Sequence, residues 1–403
     1  MPCRQRPAGG FVAVVTKQIE AGRALADIYP ARFCTLCRKE DAMSKQRIQL
    51  SDHFTYSRLL RFVLPCIGTM LFTSIDGIVD GLCVSNFVGK TAFAAVNLIM
   101  PLPMLLGTIG FMLGTGGSAI VGITLGEGDQ KKADRYFTLF LLAALVSVSV
   151  LAVLGIVFLR PIAVLLGAKG ELLDYAVRYG RILMVSLPTF ALQNMFQSFF
   201  VTAEKPHLGF WFTVGAGCTN MVLDVLMVGI WGWGVEGAAI ATFISQLVGG
   251  VLPVFYFIDR SNSSRLHLCK TSFYSKVLRD ACINGSSELM TNLSMSLVNI
   301  LYNYQLLRLA GENGVAAYGV IMYAAFLFVA VFVGYAVGSA PIVSFHYGAR
   351  NHAEVHNLYR KSLRLIAVVA VTLTLASMFI IPCVARIFVG YDAELLALTS
   401  RAF

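Results

Sequence analysis

Long apolar segments separated by short polar ones are the feature that most constrains this chain of 403 residues. Residues 136–159 and 363–381 are two of them, and each is long enough to cross a hydrocarbon layer of about 30 Å as a helix. Hydrophobic residues make up 57% of the chain and charged residues 13%, whereas soluble domains carry about 25% charged residues. The pattern predicts an all-α polytopic membrane protein and excludes a soluble domain.

The apolar segments predict nine membrane spans, and a tenth begins near Glu394. The nine cover residues 62–84, 92–124, 136–159, 180–203, 208–230, 236–258, 278–307, 314–346 and 363–385. Lys and Arg residues concentrate in alternate loops, notably 131–135, 260–279 and 350–364. Because positive residues favour the cytoplasmic side, the sequence predicts a cytoplasmic N-terminus. The net charge of +10 is then an orientation signal, and no nucleic-acid partner is expected.

Residues 1–42 contain neither a span nor a signal-peptide layout. We expect a disordered or upstream extension there, with Met43 as the true start. Within it, Cys34 and Cys37 form a Cys-x-x-Cys motif, but no second such motif follows in the sequence. A structural zinc site needs four ligands, so no metal site is predicted. The nine Cys residues are scattered along the chain and indicate no disulfide framework.

The chain contains the same membrane unit twice. GKTAFAAVNLIM (89–100) is echoed by GENGVAAYGVIM (311–322), at an offset of 222 residues that continues without a gap to Gly126 and Gly348. Since the first unit has six spans, the second enters from the same side, and an axis along the membrane normal should relate the two units. We therefore predict a six-helix lobe at 43–260 and an incomplete second lobe at 261–403. The full protein should have twelve helices, of which about nine are complete here.

Two carboxylates inside spans are the main functional candidates. Asp80 lies in the first span and Asp224 in the fifth, and a charged residue in a span costs about 2.5 kcal/mol or more. Asn220 lies one turn before Asp224, and Thr242 enters the sixth span. The two carboxylates and Thr242 are expected about 6 to 9 Å from the outer ends of their helices. Their oxygen atoms suit a hard cation such as Na⁺, or the carboxylates carry a proton; the structural alternative is that they only join helices.

Other polar and aromatic residues are weaker candidates. Asp76 lies one turn before Asp80, and Glu288 enters the seventh span near its cytoplasmic end. Tyr302 occupies the position in the second unit that corresponds to Asp80, which places the coupling chemistry in the first unit. A cleft for flat organic cations would be lined by aromatic and Met side chains. The candidates are Phe190, Met195, Phe199 and Tyr335, although aromatic residues in helices more often serve packing.

Several motifs together resemble the multidrug and toxic compound extrusion (MATE) family, particularly its bacterial members. The resemblance covers roughly residues 54–403. Its carriers are Asp80 followed by Val88–Gly89 and Ala94–Asn97, then Glu204–Pro206, Asn220–Asp224, Gly234–Thr242, Ala340–Val343 and Tyr347–Gly348.

The resemblance implies two six-helix lobes around a central cleft and export of organic cations by antiport against H⁺ or Na⁺. It further implies a cation site in the first lobe, at the positions of Asp80, Asn220, Asp224 and Thr242. We accordingly expect a monomer in the cell membrane that is not an enzyme and needs no cofactor, with membrane lipid and a small cationic substrate as partners. The alternatives are a lipid-linked oligosaccharide flippase and a membrane receptor or scaffold without transport.

Overall fold

The computed structural model describes residues 48–88, 95–96, 98–166 and 168–389. Residues 1–47, Gly89, Ala94, Asn97 and the predicted tenth span near Glu394 lie outside this part of the chain. Nine helices and no strand are found within it. They are α1 (Tyr56–Phe87), α2 (Pro101–Gly126), α3 (Gln130–Leu165), α4 (Glu171–Thr202), α5 (Pro206–Asp224), α6 (Gly234–Gly250), α7 (Leu252–Ile258), α8 (Ser275–Gly348) and α9 (His352–Val389), and a π-helix, Val225–Ile230, continues α5.

Six segments of the described residues are long and apolar enough to cross a membrane, so the chain is a multi-pass α-helical membrane protein, as predicted. They are Tyr56–Gly77, Pro101–Gly126, Gln130–Leu165, Pro206–Ile230, Gly234–Ile258 and Ala325–Gly348. The second span differs from the predicted 92–124, because α2 begins at Pro101. Proline suits the first turn of a helix, where its missing N–H would have no partner. Pro101 therefore begins α2 at a junction, directly after helical backbone at residues 95–96 and 98–99.

The predicted seventh and eighth spans form one stretch of helical backbone, α8, of 74 residues. It reverses direction, because Ala281 and Pro341 both touch α2, at Gly116 and Gly122. In a straight helix, Ala281 and Pro341 would be about 90 Å apart, but their contact points on α2 are only about 9 Å apart. The two spans run in opposite directions, as predicted, whereas helical backbone continues where a loop was expected at 308–313. Glycine costs a helix only about 1 kcal/mol, and no proline forces a break there.

The contacts between the two units follow the repeat found in the sequence. Two of the close contacts between the units recur, with the partners exchanged, at the residues 222 positions away. The pairs are Gly126 with Phe345 and Gly348 with Ile123, and also Gly116 with Gly285 and Gly338 with Val63. This exchange is what a two-fold axis between parallel repeats produces, and it confirms the parallel duplication.

Glycines allow the two units to touch through their backbones. A Cβ atom added to Gly126 would lie 2.1 Å from the carbonyl oxygen of Phe345, and one added to Gly348 would lie 2.1 Å from that of Ile123. Small residues allow this close approach between membrane helices. Both glycines are at helix ends that lead into the basic loops, so the units are packed together at the predicted cytoplasmic end.

Replacing Gly126 by Ala should weaken this contact, because the added methyl group would meet backbone atoms that cannot rotate away. We expect a loss of about 1–3 kcal/mol, seen as a lower midpoint of thermal unfolding in detergent, and the same loss for Gly348→Ala. Gly77→Ala is the control, since nothing lies within 4 Å of its added Cβ. Equal midpoints for all three variants would contradict this packing.

Candidate cation site

The site depends on the close, parallel packing of α1 against α5. A Cβ on Gly217 would lie 2.4 Å from the Phe72 ring and 3.1 Å from Oδ1 of Asp76. About two helical turns earlier on both helices, Gly68 faces the ring of Phe210. The absence of side chains at these two glycines lets α1 approach α5 along its length, which brings the acidic face of α1 against α5.

Asp80 and Asp224 meet across this packing. Their carboxyl groups lie within hydrogen-bonding reach of each other, and Asp224 is fully buried. No donor reaches either oxygen of Asp224 or Oδ1 of Asp80. Among the described residues, no Lys, Arg or His forms an ion pair with them. The structure thus brings together the two carboxylates singled out in the sequence and leaves their charge uncompensated.

The depth of the site follows from the helix ends. Asp80 lies seven residues before the end of α1, and Asp224 lies six before the end of the π-helix. Both are therefore about 9 to 11 Å from the C-terminal ends of their helices, which are the predicted outer ends. Asn220, one turn before Asp224, is buried, and its side-chain nitrogen has no partner. Asp224 lies within the candidate span Pro206–Ile230, whereas Asp80 lies three residues beyond the candidate span Tyr56–Gly77. Both are near the end at which the units are not packed together by the glycine contacts.

The π-helix begins directly after Asp224. Its wider turn is visible in the bond from Trp231 N–H to the carbonyl of Leu226, five residues earlier, at 2.8 Å. Single π-turns inside α-helices are often found at functional sites, since they change the direction of the side chains around them. Here the π-helix lets Asp224 point toward α1 while Val228, one turn later, packs with α4 and α6 in a core cluster.

Tyr179 is a further site residue that the sequence analysis missed. It lies on α4, is fully buried, and its hydroxyl has no hydrogen-bond partner. The hydroxyl is close enough to Asp80 and Asp224 to interact with their charges. Nothing in the sequence distinguishes it from a packing tyrosine. Asn194 and Gln197 on the same helix also have partnerless buried atoms, and polar residues within a span were a signal that could have identified them.

The other predicted site residues have different surroundings. Asp76 joins the acidic face of α1, and its buried Oδ1 has no partner. Thr242 donates its hydroxyl to the carbonyl of Ala238 on its own helix, at 3.0 Å, and no described contact joins it to the carboxylates. Glu288 lies on α8, one turn after the residue that packs on Met112, and the described contacts do not bring it to the pair.

Three of the four residues predicted to line a cleft are buried in this structure, and the fourth, Phe190, is half-buried. Met195 and Phe199 are fully buried in the core of the first unit, where Phe199 packs on Phe137 with ring centroids 4.8 Å apart. Tyr335 is buried and bonds Ser362 at 2.8 Å. Phe190 covers Gly107. The correction has a simple cause, since α4 is the central helix of the first unit and buries nearly every face from Ala176 to Thr202.

Comparison with known proteins adds to this geometry. The sequence model of the MatE family matches residues 65–226 and 289–403, once in each unit. The chain belongs to the MatE family. Among its relatives, the multidrug export protein MepA of Staphylococcus saprophyticus subsp. saprophyticus is 22% identical over 316 residues, which is 78% of this chain and 69% of that protein.

Solved MATE structures share the fold. An outward-facing multidrug resistance MATE family transporter of the MOP superfamily has a TM-score of 0.82 at 22% identity, over 89% of this chain and 80% of its own. A MATE protein in complex with MaL6 has a TM-score of 0.81 at 22% identity, over 87% and 78%. The MATE resemblance of the motifs and the predicted fold class are thereby confirmed.

Replacing Asp224 by Asn should stabilise the protein in the absence of a bound cation. The change removes a buried charge that no donor stabilises, and an unsatisfied buried group costs about 1–3 kcal/mol, or more if charged. We expect a higher midpoint of thermal unfolding in sodium-free detergent solution at mildly alkaline pH. Asp174→Asn, at an exposed carboxylate, is the control. A lower midpoint for Asp224→Asn alone would indicate a structural role instead.

Proposed function

We propose that this protein is an efflux transporter that exports organic, cationic drugs or metabolites in exchange for H⁺ or Na⁺. The observation that carries the proposal is the buried pair of Asp80 and Asp224, which face each other without a positive partner. Two carboxylates in contact repel each other unless a cation or a proton lies between them. Membership of the MatE family and similarity to relatives named multidrug export proteins support transport of drugs.

The coupling cation would enter from the outer side. The units are packed together at the predicted cytoplasmic end, and the carboxylate pair is about 9 to 11 Å from the opposite helix ends. A cation that binds there removes the repulsion between α1 and α5 and stabilises their contact. The free energy of that binding favours a different arrangement of the two units and, with it, release of the substrate.

Asp76 extends the proposal toward the cytoplasm. It lies one turn from Asp80, about 6 Å along the helix, and also faces α5 at Gly217. We propose that it is the next carboxylate on the route by which the cation leaves inward. The orientation with the N-terminus inside the cell and the location in the cell membrane belong to the same proposal, based on the positive loops.

The test uses vesicles that contain the purified protein and ethidium, a flat organic cation. Efflux is measured under a proton gradient and, separately, under a sodium gradient. We expect Asp80→Asn to reduce gradient-driven efflux at least about tenfold, because it removes a charged ligand whose bonds contribute about 1.5–3 kcal/mol. Asp76→Asn should have a smaller effect, and Asp174→Asn, at an exposed carboxylate, should behave as wild type.

Each part of the proposal has its own contradicting result. If ethidium moves under neither gradient in the wild-type protein, transport of organic cations by antiport is wrong. If Asp80→Asn still responds to the gradient as wild type does, the assigned site is wrong although transport stands. Whichever gradient drives the wild-type protein identifies the coupling ion.

Replacing Tyr179 by Phe should weaken cation binding without removing a charge. The variant loses a buried hydroxyl that lies near the two carboxylates and has no hydrogen-bond partner in this structure. A hydrogen bond from this hydroxyl to a charged group of the cation-bound site would contribute about 1.5–3 kcal/mol. We expect the cation concentration for half-maximal ethidium efflux to rise about tenfold while the maximal rate is kept. A fall in the maximal rate alone would mean that the hydroxyl serves packing only.

A further inference from the structure

Residues 49–54, just before α1, lie between the two units at the packed end and are held by a carboxylate from each. Leu50 and Phe54 are fully buried. The N–H of Leu50 donates to Oε1 of Glu204, between α4 and α5, at 2.9 Å. The N–H of Phe54 donates to Oε1 of Glu354, on α9, at 2.9 Å. The segment is thus bonded to the first unit at one end and to the second unit at the other.

Glu354 has the denser set of bonds. Its side chain is 8% exposed, and Oε2 lies 2.6 Å from Nδ1 of His53. Asn357 donates to Oε1 at 2.9 Å. Burial raises the pKa of Glu354, but the hydrogen bonds from Phe54, His53 and Asn357 outweigh this and hold the pKa below its usual value. Glu354 therefore accepts hydrogen bonds both from residues 53–54 and from Asn357 on its own helix, α9.

The same face of α9 makes further bonds to this segment. Lys361 donates to the carbonyl of Phe54 and lies 5.5 Å from the ring centroid of Tyr56. Arg364 reaches the hydroxyl of Tyr56 at 3.5 Å. Glu354, Lys361 and Arg364 are seven and three residues apart, which places them along one face of the helix. One helix of the second unit thus binds the start of α1 through three charged residues.

A second connection joins the units through Glu204. Its carboxylate pairs with Arg265, in the linker between α7 and α8. The guanidinium of Arg265 lies 5.1 Å from the ring centroid of Phe345, whose backbone packs on Gly126. Both carboxylates that hold residues 49–54 therefore also participate in contacts that cross between the units.

We propose that residues 49–54, Glu204 and Glu354 form a clasp that keeps the cytoplasmic end of the transporter closed and must release when that end opens. Glu354 is its principal positioning residue. Charged and peptide groups suit such a contact, because water replaces their partners when the units separate. A contact made by apolar side chains would instead expose apolar surface on opening. The release of the clasp as a step of transport rests on the proposed function, whereas its role in keeping this end closed does not.

Cys66 offers a native reporter of this opening. The residue is 5% exposed, and its thiol faces Gly338, where an added Cβ would lie 3.2 Å from the sulfur. It is therefore buried between α1 of the first unit and α8 of the second. Cys218, on α5, is exposed in the same structure but lies within the candidate span Pro206–Ile230, so its labelling rate serves as an internal reference that the opening should not change. The labelling rate of Cys66 relative to Cys218 measures how often the closed end separates.

The experiment labels the full chain in detergent with N-ethylmaleimide and follows the peptides of Cys66 and Cys218 by mass spectrometry, without substrate. We expect Glu354→Ala to raise the rate at Cys66 about tenfold or more, since it removes several bonds to a charged group, and to leave Cys218 unchanged. Glu354→Gln, which keeps an acceptor for Phe54, and Lys361→Met should give smaller increases. Glu127→Ala, at an exposed carboxylate of the same end, is the matched control.

An unchanged rate at Cys66 in Glu354→Ala would overturn the proposal. So would a rise that appears only together with a lower unfolding midpoint, while Glu354→Gln and Lys361→Met label at the wild-type rate, because the variant would then only be unfolding. If ethidium efflux fails in the wild-type protein but Glu354→Ala still exposes Cys66, the clasp stands and the proposed function does not.

Discussion

Two carboxylates in contact inside an apolar helix bundle impose the constraint on which the rest of this structure depends. Asp80 and Asp224 face each other without a donor or a positive partner among the described residues. The cost of a charged residue in a span is about 2.5 kcal/mol or more, and contact between two such residues adds repulsion. A sequence retains such an arrangement only if something neutralises it during its working cycle. The close packing of α1 on α5, enabled by Gly217, makes the contact unavoidable.

The scaffold is symmetric, whereas the chemistry is not. The glycine contacts between the units recur with their partners exchanged at an offset of 222 residues, so both units use the same surface to meet. Tyr302 occupies the position that corresponds to Asp80, and it is exposed in this structure. The repeat therefore supplies the geometry of two similar lobes, while among the described residues the paired charges lie in the first lobe. A cation bound in the first unit can act on the second only through the interface they share.

Patterns that involve many residues were predictable from the sequence, and contacts that involve a few were not. Span-length apolar segments and the repeat predicted the membrane class and the parallel duplication, because both depend on burial over twenty or more residues. Asp80 and Asp224 were identified because a carboxylate is rare in a span. Tyr179 was missed, since tyrosine is ordinary in apolar helices. Met195 and Phe199 were placed in a cleft because periodicity does not show which helix lies at the centre of a bundle.

The interface between the units explains why glycines and charged groups occur together at one end. Backbone contacts at Gly126 and Gly348 determine how close the units can come, but they bury few side chains and so contribute little attraction of their own. The bonds of Glu204 and Glu354 to residues 49–54 contribute attraction that water can replace. An end built from apolar side chains would close tightly and reopen only at the cost of exposing them. An interface of backbone contacts and charged hydrogen bonds can separate and re-form with a smaller change in free energy, which is what the proposed alternation between two arrangements requires.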